Sequence, residues 1–345
     1  MNKTKTMIAM SGGVDSAVAA YLTAQGADAA GVTMRLFDAE GKDERGAAAV
    51  CKAIGIPHFV ADLTAEFQSH VIAPFIEAYE AGLTPNPCIF CNRALKFGAL
   101  LDFARSKSYE AIATGHYARI EQDASGRFLL RRAADSHKDQ SYMLYTLSQE
   151  ALSRVSFPLG ELEKGEVRDI AASLGFPMAK QKDSQDICFV PDGDYVAFIE
   201  RASGHSPAPG RFISPAGDDL GEHRGMLRYT VGQRKGLGIA LGKPAYVLSK
   251  SASDNTVTVD TDERLLFTTR VVAHNINLIP FDRLDSPRRF LAKIRYRQEA
   301  TPALVEQTDA DTLTVEFEHP QRAVSPGQSL VLYEDDYVIG GGIIV

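Results

Sequence analysis

The chain reads as an α/β protein with a doubly wound parallel sheet over residues 1–205, followed by a small β-rich central module (206–267) and a C-terminal β-barrel (268–345). Three observations predict this. Strand and helix periods alternate through the first part, a Gly-Gly turn joins the first strand to the first helix, and from about residue 210 the texture shifts to Gly and Pro turns with short alternating strands. In order, residues 6–10 give a short buried strand, Ser11-Gly12-Gly13-Val14-Asp15-Ser16 a tight turn, and the Ala-rich run after it a helix stopped by Gly26. Residues 30–37 give a second strand, 44–54 a helix ended by Gly55 and Pro57, 58–63 a third strand, and 66–81 a helix closed by Gly82. A helix over about 92–105 and a strand over 111–114 complete the sheet. In the β half, 256–260, 290–296 and 313–317 alternate as strands, with breaks at the Pro-rich 206–210 and near 262–268.

Hydrophobic residues make up 45% and charged residues 23% of the 345, which excludes a disordered or fibrous chain. A net charge of -7 argues against a surface basic all over and leaves room for a local basic face. Such a face is present at 283–297, where Arg283, Arg288, Arg289, Lys293, Arg295 and Arg297 stand against Asp285 alone. Strand alternation sets Lys293, Arg295 and Arg297 on one side, a phosphate track to which Arg234 and Lys235 add; a solvated strand face is the plain alternative. The four cysteines, at 51, 88, 91 and 188, are too few and too unevenly spaced for a secreted disulfide framework. The apolar stretch 7–10 is too short for a signal peptide and no run approaches a membrane span, so a cytoplasmic chain is expected.

The hexapeptide at 11–16 carries the first chemistry. Adjacent glycines let the backbone approach an anion closely, and the N–H groups opening the next helix suit a pyrophosphate. The Gly-Lys-Ser/Thr of a nucleotide P-loop and the third glycine of a dinucleotide fingerprint are both missing. A plain turn with Asp15 as helix cap is the bland reading.

Ser-Gly-Gly-Val-Asp-Ser after a strand resembles the PP-loop of ATP pyrophosphatases. The later motifs narrow the resemblance to the tRNA-specific 2-thiouridylases, nearly end to end. They are Thr84-Pro85-Asn86-Pro87 with Cys91-Asn92 and Lys96-Phe97; Ala113-Thr114-Gly115-His116-Tyr117-Ala118-Arg119; Lys138-Asp139-Gln140-Ser141-Tyr142; Asp183-Ser184-Gln185-Asp186-Ile187-Cys188-Phe189; the Gly-rich run 229–238; and Ile294-Arg295-Tyr296-Arg297-Gln298. The resemblance implies ATP with Mg²⁺ on Ala9, Met10, the 11–16 hexapeptide, Met34 and Gly115. It implies a target base and tRNA near Asn86, Pro87, Cys88, His116, Lys138, Asp139, Gln140, Arg295, Tyr296 and Gln328. It further implies a persulfide on Cys188, with Cys91 as resolving nucleophile and a reversible Cys91–Cys188 disulfide. Sulfur would come from a cysteine desulfurase or a sulfur-carrier protein. Met34 reads equally well as an ordinary core residue.

The thiols make chemical sense of this. Exchanging a carbonyl oxygen for sulfur needs the oxygen activated as a leaving group, then a sulfur nucleophile, then a second thiol to free the product. Cys91 is expected to open a helix whose dipole favours thiolate, and Cys188 to follow a turn with Lys180 and Lys182. Cys51, inside Ala47-Ala48-Ala49-Val50-Cys51, reads as core. Cys88 departs from the family, many members of which carry Asp there, and it creates Cys88-x-x-Cys91. With Cys188 this leaves open an iron-sulfur cluster on three thiols, whereas a zinc site would lack a fourth ligand. Two rival functions remain at this point: another PP-loop ligase or amidotransferase that needs no thiols, and an RNA-binding module with a vestigial nucleotide site.

Overall fold

The computed structural model describes residues 4–37, 42–180 and 187–345; Lys182 and Asp183-Ser184-Gln185-Asp186 lie outside them. The parallel sheet contains β1 (Lys5–Ala9), β2 (Asp28–Arg35), β3 (His58–Asp62) and β4 (Ala111–Ala113). After a hairpin of β5 (Arg119–Gln122) and β6 (Phe128–Arg131), it adds β7 (Val155–Ser156). Its order is β3-β2-β1-β4-β7. The chain leaves β1 toward one side and returns at β4 on the other, so the carboxyl ends of β1 and β4 flank a topological switch point, where open α/β sheets bind ligands. Met7 pairs with Ala30 on one side and Ile112 on the other, and Met7 and Ile8 are both fully buried, as in a sheet covered on both faces. Gly31 on β2 makes room for Cys51, because a Cβ there would overlap the Cys51 sulfur. Burial pushes that thiol up to about 11, so Cys51 is an inert core residue, as its sequence setting implied.

Two helices depart from expectation. The run expected over 66–81 is a continuous helical rod of Thr64–Phe67, a π-helical stretch Gln68–Ile72 and Ala73–Glu80. The one expected to begin near 92 begins at Pro87 instead: Pro87–Cys91 runs into a π-helix, Asn92–Ala99, and then Leu100–Ser106. Asn86 is the N-cap, its side-chain oxygen accepting from the Cys88 N–H at 3.2 Å, and Pro87 occupies the first helical position, where a missing N–H costs nothing.

The central sheet holds β8 (Gly210–Ile213), β9 (Asp219–His223), β10 (Tyr246–Ser251) and β11 (Thr256–Asp260), around Phe212, Val247, Val257 and Val259. One 3₁₀ turn, Glu263–Leu266, leads on to β12 (Phe267–Leu278), β13 (Arg288–Lys293), β14 (Thr301–Asp309), β15 (Thr312–Arg322), β16 (Ser329–Glu334) and β17 (Tyr337–Ile344). These six pair in the order β12-β15-β14-β13-β16-β17, and β17 pairs back with β12, closing the expected barrel. β13 ends at Lys293, so Arg295 and Arg297 do not continue its face and the expected three-residue basic track does not form. Phe290, Ala292 and Ile294 do alternate inward.

The β5–β6 hairpin, unread in the sequence, joins the barrel edge through Arg131 opposite Tyr337. Arg119 and Arg131 both reach Asp336, at 2.7 and 2.6 Å, and Tyr337 donates to Glu121 at 2.5 Å. Further ties fasten barrel to parallel-sheet domain: Tyr142 donates to the Ser329 carbonyl at 2.7 Å, and Asn277 donates to the carbonyls of Tyr145 and Leu147.

Candidate active site

The 11–16 loop sits at the switch point. Gly12 takes a φ of 74°, a left-handed conformation open to glycine, and Gly13 is an N-cap without a side-chain bond, so the N–H groups opening helix Val14–Gly26 stay free of side-chain capping. Ser16 braces the turn by donating to the Gly13 carbonyl at 3.0 Å and accepting from the Ser11 N–H at 3.2 Å. Asp15 is not the cap. Its carboxylate binds the Lys164 ammonium at 2.6 and 2.7 Å and the Tyr117 hydroxyl at 2.8 Å. Lys164, at the start of helix Lys164–Ser173, is a positioning residue the sequence reading missed; the two side chains are 149 positions apart and no local motif announces their pairing. Met34 lies near the carboxyl end of β2, two residues beyond Val32, whose carbonyl accepts from the Met10 N–H at 2.8 Å.

Thr114-Gly115-His116 leaves the end of β4 and bridges from this loop to the thiols. Gly115 rests on the helix start, where a Cβ would lie 2.8 Å from the Asp15 carbonyl carbon and 2.9 Å from the Ser16 nitrogen. His116, expected to lie near the tRNA, is 9% exposed, between Phe97 and Phe157. Its Nε2 faces the Lys96 ammonium at 3.3 Å and its Nδ1 the Thr114 hydroxyl at 2.7 Å. An ammonium can only donate, so Nε2 accepts and Nδ1–H donates to Thr114. Burial, then Lys96, holds the imidazole well below its ordinary pKa, hence neutral.

This has a pH signature. The unfolded chain takes up a proton at His116 near pH 6.5 while the folded protein does not, so the stability from its neutral form is present above that pH and lost as pH falls through it. Lowering the pH from 7.5 to 5.5 should therefore destabilise the fold through this group. His58 and His223 are also lowered by burial and add to the trend. Urea denaturation at both pH values is expected to show a smaller loss in His116→Gln than in the unsubstituted protein.

Lys96 ties the thiols together. Its charge acts on Cys88, Cys91 and Cys188 alike, and the Cys188 thiol also senses Cys91 and Cys88, which brings residues 97 positions apart into one neighbourhood. Phe189 anchors the Cys188 segment, its ring 5.6, 5.2 and 5.0 Å from those of Phe67, Phe75 and Phe198. Cys88 and Cys188 are exposed and Cys91 is buried; all three are free thiols. The expected thiolate preference does not hold. The protein packed around them raises all three thiols, Cys188 to about 11, even though Cys88 and Cys188 keep some surface open to solvent, and Lys96 offsets only part of this. The reason is that Cys91 closes its first helical segment rather than opening a helix, so the dipole argument falls on the wrong residue. Among the described residues no group of three His, Cys, Asp or Glu side chains could hold a single metal ion.

Several residues expected to touch tRNA make contacts within the protein. Asp139 accepts from the Ala133 and Ser141 N–H groups and the Ser141 hydroxyl, and Gln140 accepts from the Tyr117 N–H. The Lys138 N–H donates to Asp135. Arg295 turns inward to the Ala323 carbonyl and Ser325. Gln328 donates to the Thr84 carbonyl at 2.7 Å, and the Thr84 N–H donates to the Pro326 carbonyl, so the barrel clasps the segment leading into Asn86. Asn86 itself reaches the Met143 sulfur at 3.3 Å. Tyr296 donates to the Asp139 carbonyl at 3.1 Å and senses Cys88, which brings the barrel side of the molecule close to the thiols. Arg288 and Arg289 pair with Glu334 and Glu318, so the basic segment is partly neutralised, while Arg234, Lys235 and Arg297 are exposed.

Fold and site define a HUP-type nucleotide domain extended by two β modules. Family models match in that sequence: a tRNA methyl transferase HUP domain over 4–192, a tRNA methyl transferase PRC-barrel domain over 197–261 and an aminomethyltransferase beta-barrel domain over 268–344. The chain is 43% identical to the tRNA-specific 2-thiouridylase MnmA of Lachnoclostridium phytofermentans, over 99% of both chains. It is 44% identical to that of Clostridioides difficile, over 100% of this chain and 98% of the relative, and 46% identical to that of Heliobacterium modesticaldum, over 99% and 93%. The chain belongs to the tRNA-specific 2-thiouridylase family.

Proposed function

We propose that the protein is an ATP-dependent tRNA uridine 2-sulfurtransferase acting on the wobble uridine. The observation that carries this is the bridge at Thr114-Gly115-His116: one strand end packs on the pyrophosphate-type loop through Gly115 and, one residue later, on the cation of the thiol cleft through His116 and Lys96. Activation and sulfur delivery are thereby neighbours. ATP places its phosphates on the 11–16 loop and its adenine against the Met34 backbone; Mg²⁺ bound with it would neutralise phosphate charge beside Asp15, which Lys164 and Tyr117 hold in place.

The flipped uridine enters between the Asn86-Pro87-Cys88 turn and the Cys188 segment. Its C2 oxygen attacks the α-phosphate and pyrophosphate leaves. The outer sulfur of a Cys188 persulfide attacks C2 and AMP departs with the oxygen. Cys91, after losing its proton, attacks the Cys188 sulfur, which frees 2-thiouridine and leaves a Cys91–Cys188 disulfide. Because burial raises the Cys91 thiol, it must give up its proton before it attacks. Sulfur reaches Cys188 from a cysteine desulfurase, directly or through a carrier protein, in the cytoplasm. No helix among the described residues is long and apolar enough to cross a membrane.

Pyrophosphate release from ATP should depend on added tRNA carrying a wobble uridine. Release at the same rate without tRNA would overturn the reading in favour of a different acceptor.

A further inference from the structure

We propose that Cys88 is a third exchanging thiol of this site, one that takes over the disulfide left between Cys91 and Cys188, closing a Cys88–Cys91 bond and returning Cys188 as a free thiol. The proposal rests on the functional reading above and deepens it. Cys88 and Cys91 share the short helix Pro87–Cys91, three positions apart and so on one side of it, and the Cys188 thiol senses both of them. Exposure divides the three: Cys88 opens to solvent and Cys91 is only 9% exposed.

That division matters because the disulfide left by sulfur transfer must be reopened. An outside thiol meets the exposed Cys188 sulfur first, and attack there leaves a mixed disulfide on the residue that has to be reloaded with sulfur. Attack by Cys88 avoids this. Cys88, its proton passed to solvent, adds to the Cys91 sulfur; the Cys91–Cys188 bond breaks; its electron pair leaves on Cys188, which takes up a proton. One disulfide replaces another without net oxidation. The two electrons that later reopen Cys88–Cys91 come from an external dithiol, which finds Cys88 at the surface.

The local geometry suits the exchange. Side chains three apart on a helix have Cβ atoms about 5–6 Å apart, against roughly 3.5–4.5 Å in a disulfide, so the first turn needs only to tighten slightly. That turn leads directly into π-helix Asn92–Ala99, where the hydrogen-bond pattern changes. Lys96, on the π segment, acts on all three sulfurs and favours whichever is thiolate.

The test needs no tRNA. The full chain is equilibrated in a buffer of oxidised and reduced dithiothreitol, quenched in acid and alkylated, and its disulfides are mapped by peptide mass spectrometry. Cys88–Cys91 is expected to exceed Cys91–Cys188 by roughly tenfold or more, with Cys188 alkylated, and both Cys88→Ser and Cys88→Ala should shift the bond to Cys91–Cys188. A dominant Cys91–Cys188 bond in the unsubstituted protein, or no bond containing Cys88, overturns the proposal. A second sample, mapped after one round with ATP, tRNA and a persulfide donor, is scored for 2-thiouridine as well. Absence of that nucleoside counts against the functional reading, while the tRNA-free equilibrium still decides the role of Cys88.

Discussion

Cys188→Ser should abolish tRNA thiolation, lowering the rate by on the order of 10⁴-fold or more, while ATP binding stays intact. A hydroxyl cannot carry a persulfide, so the sulfur never enters the cleft. The loop that holds ATP keeps its own contacts, because Cys188 is anchored through Phe189 to Phe67, Phe75 and Phe198, whereas the Ser11–Ser16 turn is braced by Ser16 and by the grip of Lys164 and Tyr117 on Asp15. Cys91→Ser should likewise abolish product formation, by blocking release rather than loading. Retention of thiolated tRNA on a mercury-containing gel, with calorimetric titration of ATP alongside, separates loss of chemistry from loss of binding. The rival ligase without thiol chemistry predicts that both substitutions are silent.

Gly115→Ala should weaken ATP binding tenfold or more, about 1.4 kcal/mol. The added Cβ would meet backbone atoms of Asp15 and Ser16 at 2.8 and 2.9 Å, and backbone cannot rotate aside as a flexible side chain can. Either β4 or the start of helix Val14–Gly26 must move. The second choice is opposed by the grip of Lys164 and Tyr117 on Asp15 and of Ser16 on Gly13. Whichever yields, the N–H groups that cradle phosphate lose their alignment with the strand end. A titration with ATP measures this directly, and unchanged affinity would mean that Gly115 is not part of the nucleotide floor.

What the sequence revealed tracks the range of the interaction behind each feature. The Gly-Gly turn, the alternation of strand and helix, and the buried Cys51 are local patterns, and all are legible. The closing of the barrel was legible only as a class, since the return pairing of β17 with β12 joins strands far apart in the chain. The Asn86-Pro87 helix start was there to be read, an N-cap followed by proline, and reading the helix from Asn92 instead put Cys91 at a dipole it does not feel. Long-range partners stayed hidden. Gln328 reaches Thr84 across 244 positions and Lys164 reaches Asp15 across 149, and neither distance leaves a trace in spacing. Thiol acidity was misjudged for the same reason: burial raises a thiol, and burial is a property of packing.

The central claim is that the switch-point loop and the Cys91/Cys188 cleft together exchange one uridine oxygen for sulfur at the expense of ATP. Nucleoside mass spectrometry of unmodified tRNA incubated with the protein, ATP and a persulfide donor tests it most directly. 2-Thiouridine is expected at the wobble position, absent when ATP is omitted and absent with Cys188→Ser. Unchanged uridine with the complete mixture, or 2-thiouridine formed equally well without ATP or without Cys188, would contradict it.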